Sequence, residues 1–253
     1  MGVNEEVTLR RIWPGDGGPV GDAELERLYA YPDGPKWLAV NFVSSADGAA
    51  TIDGRSGGLG TAADRAVFRL GSDLADLVLV GAGTAVVEGY DGAHPDEETA
   101  RRRREHGLAP ITPVAVVTTG RALAPDAPVL TKALVPTIVV TSEQAPPALR
   151  EAWAAAGARV LVAGTTAVDL RQAVGTLTEW GYRRIDCEGG PRLFGSLLDA
   201  GLVDELRLTV SPLLVAGASG RIAASAGIDH TDLALASVLT DGSTLLLRYL
   251  VKP

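Results

Sequence analysis

The sequence has one cysteine, Cys187, and three histidines, at 94, 106 and 230, each in a separate polar stretch. A single cysteine forms no disulfide within the chain and no multi-cysteine zinc site. The histidines show no HExxH or other ligand spacing, so no metal is expected. There is no G-x-S-x-G elbow and no Walker A lysine–serine pair, which leaves a hydrolase or kinase without its machinery. Basic residues are the minority, and the formal net charge of -8 argues against a general binder of nucleic acid or anionic membrane. A small anion is still admissible, because a local nest of backbone N–H groups binds phosphate on an acidic protein. No apolar run approaches a membrane span. The polar start MGVNEEVTLRRIWPGDGG has no apolar h-region of a secretory signal. With the lone cysteine, this leads to the expectation of a cytoplasmic protein that acts on a small molecule.

What the chain does have is Ala, Val, Leu and Gly over 253 residues, enough for a substantial core. Residues 1–36 read as an N-terminal arm, in which Asp22 caps a short helix over Leu25, Leu28 and Tyr29. Residues 37–253 read as one domain. Short Val-rich runs bounded by Gly, Pro or Thr carry the strand signature: Leu38–Val43, Leu77–Val80, Val114–Val117, Thr137–Val140, Val160–Val162, Ile185–Cys187, Leu206–Val210 and Leu245–Val251. Helical patterns lie between several of them, at Ala62–Leu70, Pro147–Ala156, after Asp169, and at Arg192–Ala200 with Gly201 at the C-cap position. Alternation of this kind predicts an α/β fold with a mainly parallel sheet flanked by helices. No helical pattern separates the last two runs, and Asp241-Gly242 is a turn signal, so the C-terminal edge is expected to be antiparallel. The charge run Glu97–Arg104 reads as a solvated surface segment.

Ligands of an open α/β sheet sit at the C-terminal ends of its strands. Three turns are bare there: Gly81-Ala82-Gly83-Thr84, Thr118-Thr119-Gly120-Arg121 and Glu188-Gly189-Gly190-Pro191. Glycines let a ligand approach the backbone, and a helix N-terminus attracts phosphate. Together the turns suggest a dinucleotide cradle, with Arg121 available for a further phosphate. Each has a plainer alternative. Gly81-x-Gly83 lacks the third glycine of G-x-G-x-x-G and serves any tight turn, and Arg121 alone is an ordinary surface arginine. Asp47 alone is an Asx turn former before Gly48, and Cys187 alone is a small core residue.

Three stretches, NFVSSADGAATIDGRSGG, DLVLVGAGT and CEGGPRLFGSLLDAGLVDELRLTVSPLL, occur in this order from Asn41 to Leu214. In them the chain resembles the RibD C-terminal family, the pyrimidine reductases of riboflavin biosynthesis, in a stand-alone actinobacterial form. The resemblance implies a dihydrofolate-reductase-like fold, with a central mostly parallel sheet and an antiparallel C-terminal hairpin. It also implies NADPH as hydride donor and a homodimer. Carried over by position, Asn41, Ser44 and Asp47 would line the junction of substrate and nicotinamide, and Ser56 would hold substrate. Gly81, Gly83 and Thr84 would contact the cofactor. Thr118, Thr119 and Arg121 would approach the adenosine 2′-phosphate. Glu188 would reach the substrate, and Gly189, Gly190, Pro191, Arg192, Leu193 and Phe194, on to Ser196, would cradle the pyrophosphate. Asp47 is expected to orient substrate or relay a proton, with its pKa raised by desolvation. Where the family carries a phosphate-binding arginine, this chain has Ser72; Arg55, Arg65 and Arg69 are the candidates to replace it. Nothing matches the zinc deaminase that precedes the reductase in the bifunctional enzyme. The expected activity is reduction of an imine-like carbon of a pyrimidine- or pterin-type substrate. Its rivals are a dihydrofolate-reductase-like activity, a dehydrogenase on a Rossmann sheet and a non-catalytic NADPH-binding protein.

Overall fold

The Val-rich runs form the centre of one ten-stranded sheet in the computed structural model, which describes residues 7–15, 17–225, 227 and 230–252. The strands are β1 (Arg10–Trp13), β2 (Trp37–Ser45), β3 (Leu77–Gly81), β4 (Val114–Val117), β5 (Ile138–Thr141), β6 (Arg159–Val162), β7 (Arg184–Cys187), β8 (Glu205–Ser211), β9 (Leu233–Asp241) and β10 (Thr244–Val251). The helices are α1 (Asp22–Tyr29), α2 (Ala62–Asp73), α3 (Ala82–Val87), α4 (Glu97–Glu105), α5 (Pro128–Thr131), α6 (Pro147–Ala155), α7 (Leu170–Glu179) and α8 (Pro191–Asp199). The sheet order is β1-β9-β10-β8-β2-β7-β3-β4-β5-β6. Pairs from β8 to β6 are parallel, and β8, β10, β9 and β1 form an antiparallel wing. This is the expected class, a central mostly parallel sheet flanked by helices with an antiparallel C-terminal hairpin. The Asp241-Gly242 turn joins β9 to β10.

The wing is larger than the sequence suggests. β9 is a weak strand signal because Ala and Ser interrupt its apolar residues, and most of it is half-buried. β1 is RRIW at the sheet edge. Of the expected arm, residues 1–6 and 16 lie outside those described; the rest is built into the domain, with β1 paired to β9 and α1 against α2.

Helix starts follow local chemistry. Thr61 caps α2 by accepting from Asp64 N at 3.2 Å, and Asp169 caps α7 by accepting from Gln172 N at 3.0 Å. The charge run is α4, and only part of it is solvated. Arg103 is 1% exposed. Its Nη1 donates to the carbonyls of Ser72, Asp73 and Ala75, which closes the C-terminal end of α2.

Leu38, Val40, Leu77, Leu79, Ile185 and Cys187 pack under α7 and α8 on one face, while Val78, Val80, Val114 and Val116 pack with Trp153 on the other. A third cluster joins α1 and α2 to Leu239 and Leu246 of the wing. Cys187 is therefore a core residue, buried with its thiol pushed up to about 12 by desolvation. Among the described residues no helix is long and apolar enough to cross a membrane.

A polar seam runs beneath α2. Glu205, fully buried on β8, accepts from Arg207 Nε at 2.9 Å, Arg248 Nε at 2.8 Å and Trp37 Nε1 at 3.0 Å. Burial pushes the Glu205 pKa up, but Arg207 and Arg248 outweigh it and hold the carboxyl at about 2. Removing the acid strands Arg207, itself 1% exposed. Glu205→Ala is therefore expected to destabilise the fold by about 3–5 kcal/mol, measured by urea unfolding; a loss below about 1 kcal/mol would mean that the arginines find other partners.

Candidate active site

β7 and β3 are neighbours, so the turns that follow them meet. Gly81 N donates to Gly189 O at 2.8 Å, and Glu188 N donates to Leu79 O at 2.9 Å. The approach leaves no room for a side chain on Gly189 or Gly190. Gly189 has φ +90, and a Cβ there would lie 2.8 Å from Phe42 Cζ. A Cβ on Gly190 would run into Thr84 Oγ1, whereas one on Gly81 would meet Gly190 N at an ordinary 3.6 Å.

Two helices begin at this contact, α3 after Gly81 and α8 after Gly190. Neither has a side-chain cap or an acid in its first turn, whereas α2, α4 and α7 are each capped by a side chain. Two bare N-termini side by side carry free N–H groups and the positive ends of two helix dipoles. That chemistry fits the pyrophosphate of a dinucleotide. Gly83 is exposed with open space around its Cα, and Arg192 is exposed at the start of α8. Leu193 and Phe194 turn their side chains into the core, where Phe194 stacks on Phe42 at 5.4 Å between centroids. Phe194 N is taken by Gly190 O, so only the backbone before it is free for a ligand.

One strand over, β4 ends at the third turn. Thr118 is buried and its Oγ1 accepts from Gly120 N at 3.0 Å, so its hydroxyl shapes the turn. Thr119 and Arg121 are exposed.

The two expected carboxylates differ sharply. Asp47 is exposed after β2, and its carboxylate accepts from Ser45 Oγ at 2.5 Å, Ala216 N at 2.7 Å and Val215 N at 3.2 Å. Ser45 and the two backbone N–H groups hold its pKa down at about 2. The expectation of a raised pKa at Asp47 is thus corrected: three donors stabilise its anion, and it clips the segment after β8 in place. Glu188 is the acid with the raised pKa. It is 9% exposed. Its Oε2 accepts from Tyr90 Oη at 2.5 Å. Burial, then the neighbouring charge of Asp186, raise its pKa well above the carboxylate range, against the pull of the Tyr90 hydrogen bond. Glu188 opens on a cavity of about 390 Å³ that Arg69, Ser72, Tyr90, His94 and Thr112 also line.

The remaining candidates are dispersed. Asn41 and Ser44 are both buried, but their spacing on β2 turns them to opposite faces. Asn41 belongs to the polar seam under α2. Ser56 N donates to Glu88 Oε1 at 2.8 Å, which ties its loop to the end of α3. Arg55 is exposed beside the Asp53-Gly54 turn and does not line the cavity. The sequence reading missed Tyr90 and Asp186. Asp186 had a signal: it is the one acid in the apolar strand RIDC. Among the described residues no His, Cys, Asp and Glu cluster could hold a metal ion.

A family model described as the RibD C-terminal domain matches residues 36–247. The chain is 34% identical over 173 residues to the 2,5-diamino-6-ribosylamino-4(3H)-pyrimidinone 5′-phosphate reductase of Methanothermobacter thermautotrophicus, covering 66% of this chain and 80% of that one. It is 31% identical over 154 residues to the protein of the same name from Archaeoglobus fulgidus, covering 60% and 68%. Its fold is similar to a pyrimidine reductase-like protein of Corynebacterium diphtheriae, with a TM-score of 0.76 at 24% identity over 90% of this chain and 99% of that one.

Two outcomes follow from the geometry. Gly190→Ala should lower stability by about 1–3 kcal/mol through overpacking, and Thr84→Ala in the same chain should recover most of that loss, because the Thr84 Oγ1 in the way is then gone; an additive double mutant would place the strain elsewhere. Asp47→Ala should speed hydrogen exchange at Val215 and Ala216 and leave the pH dependence of any activity above about pH 5 unchanged, since the native carboxyl is ionised throughout that range.

Proposed function

The chain belongs to the RibD C-terminal domain family, and on that premise we propose that it is an NADPH-dependent reductase of a ribosylaminopyrimidine 5′-phosphate, the substrate class its relatives are named for. Bound NADPH supplies the hydride. The bare N-termini of α3 and α8 hold its pyrophosphate, with Gly81, Gly83, Thr84 and Gly189 to Leu193 around it. Thr119 and Arg121, exposed after the adjacent strand, meet the adenosine 2′-phosphate and favour NADPH over NADH.

The observation that carries the reading is Glu188. It stands where the glycine cradle meets the cavity, and its proton affinity is raised by burial and a neighbouring acid. Reduction of a C=N bond needs a hydride on carbon and a proton on nitrogen. A carboxyl still protonated near neutral pH donates that proton, and Tyr90 holds it in place. Asp47 keeps the segment after β8 against the turn after β2. Ser72, at the position of the missing arginine, lines the cavity, and so does Arg69 one turn earlier on α2. Of the three candidate replacements, Arg69 alone reaches this cavity; Arg65 donates instead to Gly60 O at 3.0 Å. Arg69 is therefore the group assigned to the substrate phosphate. The proposal includes a cytoplasmic homodimer joined through the wing, whose edge leaves Ile12, Trp13 and Leu233 exposed.

The test is NADPH oxidation followed optically with the diaminopyrimidinone phosphate, its deaminated form and dihydrofolate, each repeated with NADH. Turnover with a pyrimidine phosphate is expected. Glu188→Gln should lower kcat by about 10²–10⁴-fold while NADPH affinity changes by less than about threefold. Turnover with dihydrofolate alone, or NADPH binding without turnover, would replace this function with one of its rivals.

A further inference from the structure

Glu188, directly after β7, is not the only buried acid here. Asp186 lies two residues earlier, on the same face of β7, and is fully buried. Neither of its carboxylate oxygens has a hydrogen-bond partner among the described residues, and Asn41 Nδ2 beside it has none either. The space they share lies under Gly71 of α2. A Cβ on that residue would lie 2.9 Å from Asp186 Oδ2, 3.2 Å from Arg207 Nη1 and 3.3 Å from Asn41 Nδ2. The Tyr31 phenol lies near enough to favour the Asp186 anion, but too far or too oblique for a well-formed hydrogen bond, so Asp186 acts on its neighbours chiefly through its charge.

The charges around it do not balance. Three buried acids, Glu205, Asp186 and Glu188, share two guanidiniums, Arg207 and Arg248. Both arginines bond to Glu205, which takes the fully ionised place. Asp186 keeps only the far side of Arg207 and also feels the Glu205 charge. Glu188 has no cation bonded to it among the described residues; its partner is the neutral Tyr90 hydroxyl. One acid must hold a proton, since an unpaired buried charge is costly. The proton goes to the acid farthest from the arginines. Tyr90 occupies Oε2 of Glu188, which leaves Oε1 for the proton.

We propose that Asp186 is a positioning residue whose negative charge keeps the proton on Glu188. The other groups that face the pair are accounted for. Tyr31, after α1, lies near both acids, and burial keeps its phenol neutral. Arg69, Asp73, His94 and Asp96 line the Glu188 cavity; Asp73 is paired with Arg102 at 2.7 Å, and Asp96 caps α4. At Asp186 burial outweighs Arg207 and raises the pKa, and at Glu188 burial and the Asp186 charge raise it together with no cation against them, so Glu188 is the acid that holds a proton more tightly. Removing the Asp186 charge therefore lowers the proton affinity of Glu188.

This inference rests on the role given to Glu188 above, but its test does not need turnover. The carbonyl stretch of protonated carboxyl groups is followed by infrared difference spectroscopy as the protein is titrated without substrate. The neutral-pH band is expected to vanish in Glu188→Gln, which assigns it. In Asp186→Asn, which keeps the volume and removes the charge, its midpoint should fall by about one pH unit or more, a tenfold change in proton affinity. The alkaline limb of kcat should move by the same amount, with KM for NADPH unchanged. A midpoint within about 0.3 unit of the native one, or a band that survives in Glu188→Gln, would overturn the proposal, and the second result needs no folded Asp186 variant. Absence of turnover on every pyrimidine would instead remove the substrate assignment and leave the titration to decide on Asp186.

Discussion

The hydrogen bond from Gly81 N to Gly189 O, at 2.8 Å, sets the rest of the site. It requires two strand ends to approach backbone to backbone, with Phe42 and Thr84 closing the space where side chains would stand. Gly189 and Gly190 permit it because they carry no Cβ. Once the ends are joined, α3 and α8 have to start side by side, and their uncapped N–H groups face one region. A cradle for a doubly charged phosphate group thus needs no lysine or arginine at its floor. Such a cradle is compatible with a chain of net charge -8, because the anion-binding groups are backbone N–H groups.

The turn after β7 that supplies the glycines also supplies the acid, directly after the strand end. β7 is central in the sheet and covered on both faces, so any carboxyl on it is cut off from water. Desolvation then does chemical work that an exposed residue cannot do. The contrast with Asp47 is direct: three donors and open solvent keep that carboxylate ionised, and its contribution is to hold a loop. Two acids near one site are driven in opposite directions, and the proton transfer proposed above falls to the one driven up.

Much of this was legible in the sequence, and the limits have physical causes. The inner strands are Val-rich because both faces are buried, so their signal is strong. β1 and β9 sit where burial is partial, and their composition carries less information. The helix α3, with six residues, is too short for a period to show. At the site, glycine turns before helices could be read because the backbone itself makes the contact. The role of Asp47 could not, since its fate depends on N–H groups at Val215 and Ala216, far along the chain. Arg103 defeated the composition rule for the same reason: a run of arginines reads as solvated, yet one of them is needed to satisfy carbonyls at the end of another helix.

The wing and the parallel half of the sheet are joined by charge as well as by the pairing of β8 with β2. Glu205 and Arg207 lie on β8 and Arg248 on β10, on the antiparallel side of β2, while Asp186 and Glu188 lie across β2 on the parallel side. Without Glu205, the acid whose charge Arg207 still feels is Asp186, to which it makes no hydrogen bond. Glu205 engages both arginines through short hydrogen bonds. The buried pair is a poor source of net stability, because desolvation consumes most of its Coulombic gain. Its consequence lies in the balance it leaves behind: with two cations committed to one carboxylate, the next acid is ionised at a cost and the last stays neutral. On the role proposed for Asp186, a wing that looks like scaffolding bears on which carboxyl across β2 holds a proton.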